Sequence, residues 1–241
     1  MMIKRALIFL VLAFFAWQFL LMVTGWEGLS APGEIARHYL EKGREELGVA
    51  NIVTAIVVTY RGLDTLGEVS VLFLAAAGIG FLLGAGKLSG KSEGDSARDL
   101  DNGKARRKAS EILETGSDII VPAIAVFGVY IFVNGHLSPG GGFQGGAVIA
   151  SAILLLFLTH PSYSLNHGVL KVTESLSGTA YVGLGLLGLV LASGFLDARF
   201  LPAGEFGRIL SAGAIPVIYS LIGLKVGAEL VGILEQMRRP S

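Results

Sequence analysis

Six apolar stretches set the pattern of this chain. Ala6–Val23, Val69–Ala85, Leu176–Leu196 and Ile209–Leu224 are long, Ile119–Val133 is shorter, and Phe143–Thr159 begins inside a glycine cluster. A helix needs ~20 mostly apolar residues to cross a bilayer, and fewer where protein shields its ends. The pattern predicts an all-α polytopic membrane protein of six transmembrane helices, two before and four after a polar break. Most soluble-enzyme readings drop out. Function is then sought in the few polar groups that sit where lipid would penalise them.

The segments between these runs carry their own signals. Glu34–Leu47 is rich in Glu, Lys and Arg and predicts a short surface helix. Ala50–Tyr60 is apolar and β-branched but too short to span as a helix. It is either a re-entrant or extended segment packed on protein, or an early start of the second helix broken at Gly62; a lipid-exposed irregular backbone would lack hydrogen-bond partners. Lys87–Arg107 mixes both charges with Gly and Ser and has no apolar periodicity, a linker composition. Lys4 and Arg5 before the first run resemble a signal peptide, but Ala6–Val23 exceeds the usual ~7–15-residue apolar region, so a retained helix is expected.

Composition narrows the picture further. The 241 residues are 52% hydrophobic and 16% charged with zero formal net charge, so no nucleic-acid footprint is present. There is no cysteine, which removes disulfides, thiolate zinc and Cys-held iron–sulfur clusters. The 34 glycines fit close helix packing, and the spacings Gly80/Gly84 and Gly223/Gly227 suggest small-residue faces for partner helices.

With the N-terminus in the cytoplasm and six crossings, twelve cations fall inside: Lys4, Arg5, Lys87, Lys91, Arg98, Lys104, Arg106, Arg107, Lys108, Lys171, Arg238 and Arg239. Six fall outside: Arg37, Lys42, Arg44, Arg61, Arg199 and Arg208. The positive-inside rule therefore puts both termini and the linker in the cytoplasm.

Few polar groups are candidates for chemistry. Asn134–Gly146 reads NGHLSPGGGFQGG, where Pro139 and the glycines break one helix and open the next. Gly141/Gly145 and Gly142/Gly146 have GxxxG spacing. The stretch is a tight turn with close helix packing, or a polar constriction in which His136 and Gln144 line water. Glu111 and Glu114 suit a helix N-terminus, while Asp118 precedes a short Pro122-containing run that suggests burial among helices. Asp64 resembles an N-cap, with Glu68 one turn further in. Lys225 and Glu229 share a face of the last helix; Lys225 follows an unbroken apolar run and is placed in the hydrocarbon. They form an ion path, or an internal pair with Lys225 snorkelling to the edge. His38, His136, His160 and His167 show no metal-ligand spacing, and no catalytic set or cofactor site emerges.

From about Ser110 to Glu235 the chain resembles the B-type component of Mrp multisubunit cation/proton antiporters, the MnhB family. Ile112–Thr115, the third helix and above all the Asn134–Gly146 turn carry the resemblance. Residues 1–86 are similar to the C-terminal part of the large A-type component, through Asn51-Ile-Val-Thr and Tyr60-Arg-Gly-Leu-Asp-Thr-Leu-Gly-Glu68. In archaeal membrane-bound hydrogenase and sulfane-reductase complexes that part is a small separate polypeptide. The resemblance implies that it is fused here, through a cytoplasmic linker at 87–109, to a four-helix MnhB-like domain at 110–241.

It further implies a plasma-membrane subunit of a Na+/H+-translocating assembly. The implied partners are antiporter-like A/D and C, E, F and G types, lipid, and in the redox complexes a hydrogenase-like peripheral module. Asp118, Lys225, Glu229, Glu114, Glu68, Asp64, His136 and Gln144 are then the ion-path candidates. The competing reading is a structural subunit that seals the assembly and whose polar groups only pair internally.

Overall fold

The protein is described from a computed structural model covering residues 2–25, 32–89 and 110–238. Among these residues the chain is helical without strands. The expected linker at 87–109 lies outside the described residues beyond Ser89. The chain forms two compact units, residues 1–37 and 38–241. In the first, α1 (Met2–Thr24) is apolar on every side and its described side chains are exposed. α2 (Glu34–Leu47) is amphipathic; Gly43 and Leu47 are its buried residues.

Asn51 caps a short helical stretch, α3 (Ile52–Thr54), by accepting from the Val53 N–H at 3.1 Å. The chain continues as a π-helical segment, Ala55–Tyr60, and then as α4 (Gly62–Ser89). Of the two readings of Ala50–Tyr60, the early helix start is the one observed, and the interruption falls at Arg61, whose N–H reaches the Ile56 carbonyl in the π pattern.

Four long helices follow. α5 (Glu111–Val133) starts at an N-cap, Ser110, and runs through Pro122 without ending. It is longer than its apolar run because the acidic first turns are helical too. α6 spans Gly142–Thr159, α7 His167–Leu191 and α8 Ile215–Arg238. Two runs are trimmed. Leu176–Leu196 stops being helical at Leu191, and Ile209–Leu224 begins only at Ile215. Leu196, Gly204, Gly207, Ala212 and Gly213 all take positive φ, which no α-helix accommodates. Apolarity there did not mark helix: Leu196 and Ala212 are buried in the loop, while Ile209 and Leu210 are exposed. Pro216 sits in the first turn of α8, where its missing N–H has no helical partner to lose.

Among the described residues, six helices are long and apolar enough to cross a membrane. α8 is the axis: it packs against α4, α5, α6 and α7, and half of its most apolar window is buried, against 39% or less for the others. Glycine makes these approaches possible. A Cβ at Gly145 would lie 2.6 Å from the Gly128 carbonyl oxygen of α5, and one at Gly146 2.8 Å from that of Gly223 in α8. Within lipid, such van der Waals fit is what joins helices. Gly223 thus faces Phe132 of α5 and Gly227 faces Gly146 of α6, both in the same chain, which corrects their reading as a partner face.

Candidate functional site

The ends of α6, 18 residues long, separate two polar layers by about 27 Å at 1.5 Å per residue. The first layer knits together residues 48–51, 134–141 and 192–214. The His136 carbonyl accepts the N–H groups of Ala50 and Asn51, both at 3.1 Å. The Asn51 amide donates to the carbonyls of Gly135 (2.9 Å) and Ser138 (3.1 Å), and Thr54 Oγ1 donates to Gly135 at 2.7 Å.

His136 is fully buried, and its Nε2 donates to the Arg208 carbonyl at 3.2 Å. Burial lowers the pKa of this imidazole, against the opposing pull of backbone hydrogen bonds. The turn reading of Asn134–Gly146 therefore describes what is observed. His136 is a pin in the cap and not a water-lining group, and Gln144 is exposed on α6.

Beside it, Tyr60 donates to Glu46 Oε2 at 2.6 Å, which lowers the Glu46 pKa, while burial raises that of Tyr60. Asp197 is held by the Arg199 fork, with Nε–Oδ1 at 2.9 Å and Nη2–Oδ2 at 2.6 Å, and its pKa is lowered chiefly by that contact.

The second layer lies at the other ends of the helices. Asp118 Oδ1 is 3.5 Å from His160 Nε2, His167 is 3.0 Å from Glu235, and Arg238 donates to the Tyr163 carbonyl at 2.6 Å. The Asp118 side chain is 63% exposed, so the expected burial among helices is not found. Pro122 has no N–H for the Asp118 carbonyl, yet the helix continues. Glu114 is half-buried. Asp64 pairs with Arg61 at 2.5 Å on the surface, and Glu68 is exposed on α4.

Between the layers, near the middle of α8, Lys225 and Glu229 form a direct ion pair, Nζ to Oε1. Their side chains are 10% and 0% exposed. The Lys225 stem runs over Gly178 of α7, where a Cβ would meet its Cδ at 3.3 Å. Its ammonium lies 5.3 Å from the centre of the Phe73 ring of α4. Three helices therefore enclose one cation. Snorkelling to the membrane edge is not the conformation observed.

Of the eight candidates, the structure brings together only Lys225 and Glu229. Sequence reasoning missed Glu174 of α7, half-buried and close enough to act electrostatically on Glu229. Glu174 and Gly178 are four apart and share a helix face, but nothing in the sequence turns that face toward α8.

A bundle of apolar helices in which α4, α7 and α8 enclose a buried ion pair defines a multi-pass membrane subunit with charge at its core. Its kin agree. A family model described as a domain related to the MnhB subunit of Na+/H+ antiporter matches residues 112–232, and the chain belongs to that family. A second model, MbhE, the E-type component of MBH, matches residues 10–87. An uncharacterised protein of Methanocaldococcus jannaschii, MJ1307, is 30% identical over 200 residues, covering 76% of this chain and 74% of its own. A probable K+/H+ antiporter A/B subunit of Rhizobium meliloti is 26% identical over 226 residues; 83% of this chain is covered but only 22% of that protein's length. A chain in the structure of the membrane-bound sulfane sulfur reductase, an archaeal respiratory membrane complex, is 39% identical with a TM-score of 0.78, covering 99% of this chain and 100% of that one.

Proposed function

We propose that the chain is a membrane subunit of a multisubunit Na+/H+-translocating assembly, and that the Lys225–Glu229 pair is its contribution to the ion path. The observation that carries this is the pair itself, a lysine and a glutamate buried near mid-helix in α8. A charge at the bilayer centre costs at least ~2.5 kcal/mol on insertion scales, and such groups usually line ion pathways. Asp118 and Glu114, at the second polar layer, serve this path as surface acids that gather cations. Asp64 and Glu68 do so from α4, while His136 and Gln144 shape the opposite cap. Each of these roles is an extension of the central one.

The chain's relatives favour a redox-linked assembly over a stand-alone antiporter, since the sulfane reductase chain matches end to end. Its partners on this reading are the antiporter-like A/D, C, E, F and G types and a hydrogenase-like peripheral module. Residues 1–86 act as an A-type unit, joined through 87–109 to the MnhB-like domain at 110–241; the two family matches fall on either side of that segment. The lysine and arginine asymmetry puts both termini on the cytoplasmic face of the plasma membrane.

The test is sodium-dependent proton movement in vesicles holding the purified complex. Lys225→Ala is expected to abolish it, and Glu229→Gln to impair it at least as strongly, because Glu229 is the more buried partner. Asp118→Asn is expected to be mild. A second reading, a sealing subunit, is favoured by Lys225 and Glu229 pairing with each other inside the chain. Normal transport in a Lys225→Ala complex of normal yield would establish that alternative.

A further inference from the structure

Glu229 uses only one of its two oxygens on Lys225. The other, Oε2, is buried and has no hydrogen-bond partner among the described residues. Glu229 is also one of the residues around a cavity of about 160 Å³ between α4, α7 and α8, with its carboxylate behind the wall that Glu174, Gln236, Phe73, Ala76 and Ala77 help to form. That volume holds a small cation with several waters. The Glu174 carboxylate makes no hydrogen bond or ion pair among the described residues, and Glu174 lines the same space. Gln236 turns its Oε1 toward Gly80 at the cavity wall, 3.1 Å from where a Cβ would stand.

We propose that this cavity binds one monovalent cation, held by Glu229 Oε2, the Glu174 carboxylate and the Gln236 carbonyl oxygen. The charge count argues for a monovalent ion. Two carboxylates and one ammonium leave a single negative charge in a partly desolvated space, and one such ion brings the set to neutrality. The ligands are hard oxygens, which suits an alkali cation. Phe73 gives the Lys225 ammonium a favourable π face beside the cavity, so the cation and Lys225 share Glu229 without sharing a position. The idea rests on the ion-path reading of Lys225–Glu229 and gives it an ion and a third charged group.

The experiment uses the whole purified complex. Equilibrium binding of radioactive sodium is measured for wild type, Glu174→Gln and Ala76→Leu, the last filling the cavity without changing charge. Wild type is expected to bind one more sodium per complex than either variant. Ala77→Cys offers a second readout, since this chain has no native cysteine. Its modification by a small thiol reagent should slow roughly tenfold at sodium about ten times its dissociation constant, and not in the presence of Glu174→Gln. Protection by potassium instead of sodium would name the ion and keep the site. Equal binding in all three complexes, with no protection by either ion, overturns the site. That outcome leaves the Lys225–Glu229 reading standing on its own transport assay. Conversely, lost binding with normal transport keeps the site and removes it from the path.

Discussion

At the scale of the residue, a buried ion pair is weak evidence for stability but strong evidence for dependence. Replacing Lys225 by Met strands the Glu229 carboxylate in a dry interior, a loss of about 3–5 kcal/mol. Replacing both, with Lys225→Met and Glu229→Leu, removes the stranded charge and is expected to restore stability to near wild type. Thermal melting of the detergent-solubilised complex checks this: the single variant melts lower and the double recovers. A double variant as unstable as the single would show that the charges hold other groups in place.

His136 offers a second test. Its pKa is depressed in the fold by burial, so below about pH 6.5 the unfolded cap takes up the proton first and the folded cap loses stability. Hydrogen-exchange protection of the Ala50 and Asn51 amides should be flat above that value and decline below it. His136→Gln keeps a donor for the Arg208 carbonyl and should flatten the profile.

At the scale of the element, glycine decides where helices meet. Gly146→Ala drives a methyl toward the backbone of Gly223 and Gly227 in α8, which has no side chain to move aside. A loss of about 1–3 kcal/mol is expected from such overpacking. Gly183→Ala in α7 meets nothing within 4 Å and should be neutral or gain up to about 1 kcal/mol from helix propensity. Melting temperatures of the two complexes, measured side by side, separate the cases; equal losses would contradict the packing account.

This contrast also marks what the sequence made legible. The Gly142/Gly146 spacing announced a tight approach, and the long apolar runs announced their helices. The boundaries around 192–214 were not readable, because an apolar loop and an apolar helix share the same composition. There Leu196 and Ala212 adopt a left-handed backbone that only the packed cap imposes. Lys225 and Glu229 stood out as charges near apolar residues. Glu174 did not, because it sits among polar residues at the start of α7, and only the fold turns it toward α8.

At the scale of the whole molecule, the charge-bearing core of residues 38–241 lies between two polar layers held apart by the helices. On the proposed orientation, the His136–Gly142 turn is expected to face outside. Single cysteines at Ser138 and Ser89 report this directly in a chain with none of its own. An impermeant thiol reagent applied to intact cells should label Ser138→Cys and spare Ser89→Cys; the reverse pattern would invert the assignment.

The central claim is that Lys225 and Glu229 serve ion movement rather than assembly. The apolar double variant, Lys225→Met with Glu229→Leu, tests it most directly because it removes both charges without stranding either. Reconstituted in vesicles as the full complex, it is predicted to assemble in normal yield and to lose sodium-dependent proton movement. Normal yield with undiminished proton movement would contradict the claim and leave the chain as a sealing subunit.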